Sequence, residues 1–181
     1  MTTVEAHDTK FHGLLQEQIR SELSASQQYL AIAVYFDGAD LPQLAKLFYG
    51  QSVEERNHAM MLVQYLLDRG IDVEIPGVDA VRNAFGTVRE ALTLALELER
   101  TVTEQVGRLA SVARDEGDYL GEQFMQWFLA EQVEEMSLMT TLVRVADRAG
   151  TNLFHLEDFV AREIPSRATD SAAPKAAGGR L

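Results

Sequence analysis

Four stretches of this chain carry apolar residues at alternating steps of four and three, and each is broken near its middle by a carboxylate. Such steps return to one face of an α-helix, so each stretch traces a seam that has to be buried. The first seam is Leu15, Ile19, Glu22, Ser26, Tyr29, Ala33 and Phe36. The second is Leu44, Phe48, Gln51, Glu55, His58, Leu62 and Tyr65. The third is Val88, Leu92, Ala95, Glu99, Val102, Val106, Leu109 and Ala113, and the fourth is Met125, Phe128, Gln132, Glu135, Met139, Leu142 and Ala146. Helices with such seams have to pack side by side, and the polar interruptions are then carried inward with the apolar residues.

Turn residues set the limits of these helices. The pattern predicts α1 over about residues 10–36, α2 over about 43–69, α3 over about 87–115, α4 over about 118–149 and a short α5 over about 152–163. Pro42 suits the first turn of α2, and Gly117 in "DEGDY" and Gly150 suit helix stops. No strand is expected. A 27-residue helix is about 40 Å long, so helices of matched length lie alongside one another. Short α1–α2 and α3–α4 turns make those pairs antiparallel. The long connection "RGIDVEIPGVDAVRNAFG" can run back the length of the bundle, which makes α2 and α3 parallel. The expected fold is therefore all-α: a four-helix bundle with one long crossover and a short fifth helix. Residues 1–164 form the expected domain. The tail 165–181, "PSRATDSAAPKAAGGRL", has the composition of a flexible segment.

A net charge of -12 argues against nucleic acid as a partner and favours cations. The absence of cysteine excludes disulfides, iron–sulfur clusters and a thiol nucleophile. No apolar run approaches the length of a membrane span, and the start lacks the pattern of a signal peptide, so a cytoplasmic location is expected.

At the mid-level of such a bundle Glu22, Glu55, Glu99 and Glu135 converge with His58 and Gln132, and no Lys or Arg lies on the seams to neutralise them. Burying even one unpaired charge costs several kcal/mol. Either the acids share protons at raised pKa values, or they hold metal. Carboxylate oxygens with one imidazole suit iron or manganese. Di-iron and di-manganese bundle proteins place a Glu on each of two helices and Glu-x-x-His on the other two. Here α2 has Glu55 and His58, and Gln132 and Glu135 occupy the corresponding places on α4.

The segments "EQIRSELSASQQYLA", "SVEERNHAMM", "LELERTV" and "MQWFLAEQVEEM", in this order and with the crossover between the second and third, resemble the prokaryotic non-haem ferritins of the actinobacterial type. The resemblance covers about residues 8–164. It implies a ferritin-like bundle that binds two Fe(II), oxidises them with O₂ or peroxide at a di-iron ferroxidase centre, and stores a ferric mineral. The shell would be a homo-oligomer of roughly 24 copies with octahedral symmetry. By the same resemblance Glu22, Glu55 and His58 bind the first iron, and Glu55, Glu99 and Glu135 bind the second, with Gln132 beside it. Tyr29 is the active-site tyrosine, and Glu54, Glu131 and Glu134, with Glu135 shared, form a third iron site. No haem is expected: Arg56 stands where bacterioferritin has its haem methionine, Met60 and Met61 are misplaced for that role, and Glu135 stands where bacterioferritin has histidine. The carboxylate pair that many ferritins place at the three-fold pore falls on Glu122 and Met125, so only one acid remains.

Plainer readings stand beside these. Glu54, Glu131 and Glu134 lie one step off the seams and also fit a solvated face. Tyr29 also fits a core aromatic. Trp127, Phe128, Met125 and Met139 read as packing, and His7, His12 and His155 as surface residues. The apolar face of α5, with Leu153, Leu156, Val160 and Ile164 and with Phe154 and Phe159 beside it, fits either a four-fold subunit contact or the end of its own bundle. The competing functions are a di-metal oxygenase or rubrerythrin-like peroxidase without a storage shell, and a non-catalytic assembly protein.

Overall fold

Helices start in this chain where their exposed N–H groups find acceptors, and two of those acceptors come from distant residues. The computed structural model describes residues 9–164 and 170–181. It contains α1 Lys10–Gly38, α2 Pro42–Asp68, α3 Val88–Asp115, α4 Tyr119–Ala149 and α5 Leu153–Glu163, with no strand among the described residues. Thr9, Thr87 and Asp118 cap α1, α3 and α4 with their own side chains. Helix α2 has no such cap. Instead Glu157 of α5 accepts from the N–H groups of Gln43 and Leu44 at 2.8 and 2.9 Å. Glu116, just beyond α3, accepts from Lys10 and Phe11 at 3.1 and 3.0 Å. An ionised carboxylate at a helix N-terminus satisfies its free donors and its dipole together.

These contacts orient the helices. The start of α1 meets the end of α3, and Arg89 at the start of α3 pairs with Asp147 at the end of α4. Each sequential pair is thus antiparallel, and α2 and α3 run in the same direction. The crossover between them is tied along α1: Gln16 donates to Asp72 O, Asp79 N donates to Ser24 Oγ, and Gln28 exchanges two 2.8 Å hydrogen bonds with the backbone of Arg82. A long segment without helical hydrogen bonds is held because its backbone groups are satisfied by one neighbouring helix. Among the described residues no helix is long and apolar enough to cross a membrane.

The apolar core is in two parts. One gathers Tyr29, Ile32, Phe36, Leu44, Phe48, Leu92, Met139 and Leu142, together with Leu156 and Val160 of α5. The other gathers Phe11, Leu15, Ile19, Met61, Leu62, Leu66, Val106, Leu109, Met125 and Phe128. Between them lies a level of buried polar residues that includes Glu22, Ser26, Gln51, Glu55, His58, Glu99, Gln132 and Glu135. Phe128, Met125 and Met139 are core residues, as expected. Half of the α5 face, Leu156 and Val160, closes the end of its own bundle, while Phe154 is 86% exposed.

Two expectations need correction. His12 is buried rather than on the surface, with Nε2 3.7 Å from Asp118 at the α3–α4 turn. The four-and-three step misses it because its cover comes from that turn and not from the seams. His155 is exposed, and His7 lies outside the described residues. The tail is the second case. Residues 165–169 lie outside the described residues, but residues 170–181 are held against the bundle. Ala177 N donates to Met60 O at 2.9 Å, Leu181 N to Asn57 Oδ1 at 3.1 Å, and Trp127 Nε1 to Asp170 Oδ2 at 2.8 Å. Small residues favour looseness in isolation, yet they lose little side-chain entropy on ordering and let the backbone approach a helix closely.

Phe11 packs where α4 begins, and this requires glycine. A Cβ added to Gly121 would stand 2.4 Å from Phe11 Cε1, and Phe11 is fully buried. Gly121→Ala is expected to destabilise the fold by roughly 1–3 kcal/mol through overpacking. Adding Phe11→Leu to Gly121→Ala should recover part of that loss. A thermal-denaturation double-mutant cycle measures the coupling.

Candidate metal centre

The centre is assembled from one turn of each of the four long helices. Glu22 comes from α1, Glu55 and His58 from α2, Glu99 from α3 and Gln132 and Glu135 from α4, and all are buried. Glu55 and His58 are three apart and share a face, with His58 Nδ1 3.3 Å from Glu55 Oε2. One ligand atom each from Glu22, Glu55 and His58 lie within 4.8 Å of one another, the one such cluster among the described residues. Reciprocal hydrogen bonds fix α1 to α2 at this level: Ser26 Oγ donates to Ser52 O at 2.6 Å and Ser52 Oγ to Ser26 O at 2.8 Å.

Neighbouring side chains orient the acids. Gln18 Nε2 donates to Glu22 Oε1 at 2.8 Å, and the Tyr29 hydroxyl donates to Glu99 Oε1. Trp127 and Phe128 stand edge-on to the His58 ring, with centroids 5.6 and 5.8 Å away. Glu22 Oε2, Glu55 Oε1 and Glu99 Oε2 are buried without a hydrogen-bond partner. An orphaned buried acceptor costs about 1–3 kcal/mol, more for a charged group. Three of them around a Glu-Glu-His cluster form an oxygen-rich donor set with one imidazole, which fits a hard or borderline cation such as iron.

The electrostatics point the same way. Burial, and then the charge of Glu55, hold the Glu22 carboxyl well above the usual carboxylate range. Burial, followed by the charge of Glu99, does the same to Glu55. Glu99 is pushed up to about 6, mainly by burial, against the lowering effect of the Tyr29 hydroxyl. Burial and the neighbouring Glu99 raise the Tyr29 phenol, keeping it a protonated donor.

The structure thus brings Glu22, Glu55, His58, Glu99, Glu135, Gln132 and Tyr29 to one buried level. Gln132 sits there with Oε1 2.7 Å from Thr103 Oγ1, whose hydroxyl lies equally close to Glu99 O, and the Gln132 amide serves Glu99 as a donor. Glu54 and Glu131 are half-buried beside the centre, and Glu134 is exposed. Met125, one of the two pore positions, is buried in the core, and Glu122 is paired with Arg114 at 2.6 Å. Sequence reasoning assigned no role to Gln18, Gln51, Ser26, Ser52 and Thr103. For Ser26 and Gln51 a signal was present, since both are polar residues on apolar seams.

A bundle of this topology around a buried carboxylate–histidine level is the architecture of the ferritin-like proteins, and the ferritin-like domain family matches residues 13–149. The chain belongs to the ferritin family, whose members store iron. It is 74% identical over 181 residues to Ferritin BfrB of Mycolicibacterium smegmatis, covering all of both chains. It is 33% identical over 158 residues to the bacterial non-heme ferritin of Staphylococcus aureus, covering 86% of this chain and 93% of that one. Among solved structures, the open pore ferritin of Archaeoglobus fulgidus superposes with a TM-score of 0.82 at 28% identity, covering 87% of this chain and 98% of its own.

Raised carboxylate pKa values carry a definite sign. Between the ordinary carboxylate value and the raised one, the folded chain binds more protons than the unfolded chain, so stability falls as pH rises through that window. For Glu99 the window runs from 4.5 to about 6, a contribution of about 2 kcal/mol. Glu22 and Glu55 extend it upward. Metal-stripped protein should therefore melt at a higher temperature near pH 5 than near pH 8, and added divalent cation should narrow the gap by replacing the protons. Calorimetry at the two pH values, with and without cation, measures both effects.

Proposed function

We propose that this ferritin oxidises the iron it stores at an intra-subunit ferroxidase centre. The observation that carries the reading is the Glu22–Glu55–His58 cluster, buried, with ligand atoms within 4.8 Å of one another and with Glu99 and Glu135 at the same level. In this reading Glu22, Glu55 and His58 receive one Fe(II), and Glu55, Glu99 and Glu135 receive the second. Two electrons, one from each iron, reduce one O₂ to peroxide with two protons, or one H₂O₂ to two waters with two protons. Fe(III) then leaves for a ferric mineral.

The protein's part is orientation and dryness. The Tyr29 hydroxyl and the Gln132 amide hold Glu99, Gln18 holds Glu22, and the aromatic edges of Trp127 and Phe128 fix the His58 ring. Two positive ions replace the protons that the buried acids otherwise need, so iron binding removes the repulsion within the centre. Glu54, Glu131 and Glu134 form a looser carboxylate site beside it, through which iron passes.

Storage implies a cavity, and a single bundle has none. The reading therefore includes a closed homo-oligomer of about 24 copies in the cytoplasm, each with one domain over residues 1–164. Tyr119, Leu120, Val133 and Phe154 are exposed large apolar side chains on helix surfaces that supply the subunit contacts.

Glu55→Ala tests the centre. Rapid Fe(II) oxidation should fall to the rate of protein-free buffer, while the assembled size on gel filtration is unchanged. Metal-free stability should hold or rise, because one buried acid is gone. Wild-type oxidation kinetics in this variant overturn the reading, and so does a wild-type protein that elutes as a small species and stays colourless in aerobic Fe(II).

A further inference from the structure

Trp127 is the single tryptophan of the chain and stands half-buried beside His58, ring centroids 5.6 Å apart. Packing against His58 uses only the shape of the ring. Its N–H is engaged elsewhere: it donates to Asp170 Oδ2 at 2.8 Å, a contact that ties the C-terminal segment to α4. Asp170 is exposed yet fixed, because its Oδ1 accepts from Ala172 N at 2.8 Å and its backbone carbonyl accepts from Arg180 at 3.1 Å. The bond from Trp127, and then that from Ala172, hold its carboxyl below the usual carboxylate range, so it is an anion at neutral pH. A ring that touches a residue of the metal centre therefore carries a base on the one polar atom of its side chain.

We propose that Trp127 is an auxiliary electron donor to a centre that holds a single Fe(II), with Asp170 taking the indole proton. The inference rests on the ferroxidase reading and extends it to the half-filled centre. Hydrogen peroxide needs two electrons to become water, and a lone Fe(II) supplies one, which leaves hydroxide and a hydroxyl radical. In the step assigned here one H₂O₂ takes one electron from Fe(II) and one from the Trp127 indole, and with two protons from solvent becomes two waters. The indole N–H bond breaks and its proton passes to Asp170, leaving Fe(III), a neutral indolyl radical and a carboxylic acid. The next Fe(II) to enter gives one electron to the radical, the proton returns from Asp170, and the N–H bond forms again. Over both steps two Fe(II), one H₂O₂ and two protons give two Fe(III) and two waters, the same sum as for a filled centre.

Position and proton both select this residue. The chain has no cysteine, and phenylalanine rings are far harder to oxidise than an indole or a phenol. Tyr29 is the rival, but its hydroxyl is bonded to Glu99. A proton released there stays on a carboxylate that the second iron needs, so it would obstruct the ion that has to restore the radical. Asp170 has no part in the centre, and a proton held on it leaves every ligand free. Removing an electron from an indole also turns its N–H from a very weak acid into one that yields its proton to a carboxylate, and the 2.8 Å bond to Asp170 is already in place for that transfer.

The test uses assembled full-length protein, loaded anaerobically with one Fe(II) per subunit and mixed with one equivalent of H₂O₂. Stopped-flow absorption and freeze-quench electron paramagnetic resonance follow the mixture. Wild-type protein should give a neutral tryptophanyl radical that decays when a second Fe(II) is added. In Asp170→Asn the amide oxygen still accepts from the N–H but is not a base. The radical there should keep its proton and appear as the cation, with absorption at longer wavelength and a hydrogen coupling that disappears in D₂O. In Trp127→Phe, which keeps a ring against His58, the tryptophanyl signal is lost and the yield of hydroxyl radical in a spin trap rises severalfold. Three results overturn the proposal: no tryptophanyl radical in the wild type, or a tyrosyl radical in its place; the same protonation state in wild type and Asp170→Asn; and an unchanged trap yield in Trp127→Phe. A wild-type protein without fast oxidation of two Fe(II) per subunit by O₂ overturns the ferroxidase reading itself, whereas fast oxidation without the radical overturns this inference alone.

Discussion

Glu22, Glu55, Glu99 and Glu135 are shut away from water at one level of the bundle, with no basic residue on the seams beside them, and the rest of the design follows from that burial. Without a cation such a group is stable only if it keeps protons, and the carboxyls of Glu22, Glu55 and Glu99 are all raised, chiefly by desolvation. On the proposed reading, protons and iron compete for the same oxygens. In that reading the exchange of protons for cations lowers the repulsion among the four acids, and affinity comes from relief of a cost already incurred in folding.

Holding that level in register is the task of contacts distributed over the chain. The Ser26–Ser52 exchange fixes α1 against α2 inside the centre, and the crossover stitched to α1 fixes the start of α3. At the ends, Glu116 and Glu157 each satisfy the N-terminus of a helix other than their own. Each of these contacts opposes rotation of a helix about its own axis, the motion that would shift the carboxylates of the buried level relative to one another.

Much of this was legible in the sequence because the helical period decides which residues face inward. Glu22, Glu55, His58, Glu99 and Glu135 fall on their seams by counting alone, and the limits of the helices follow from Pro42, Gly117 and Gly150. What the period does not carry is which atom of an inward residue points where. Gln132 lies at the buried level, and the contact of its oxygen with Thr103 on another helix has no signal in the seam. His12 was misread because its cover is a turn more than a hundred residues later in the chain. The tail was misread because a composition of small residues describes what a segment does alone, not what it does against Met60, Asn57 and Trp127. The trans caps Glu116 and Glu157 have no local signature, since their partners lie on other elements.

The division of the core has a consequence for the polar level between its halves. Each apolar half takes side chains from all four long helices, the first from the later part of α1 and the early part of α2, the second from their opposite ends. The boundary between the two halves runs across the helices, not between the hairpins. Each half therefore joins the α1–α2 hairpin to the α3–α4 hairpin, and the polar level has an apolar wall on both sides only where the two hairpins meet. The four acids are thus enclosed from both ends of the bundle at once, so a change in packing at either apolar half reaches the same polar level.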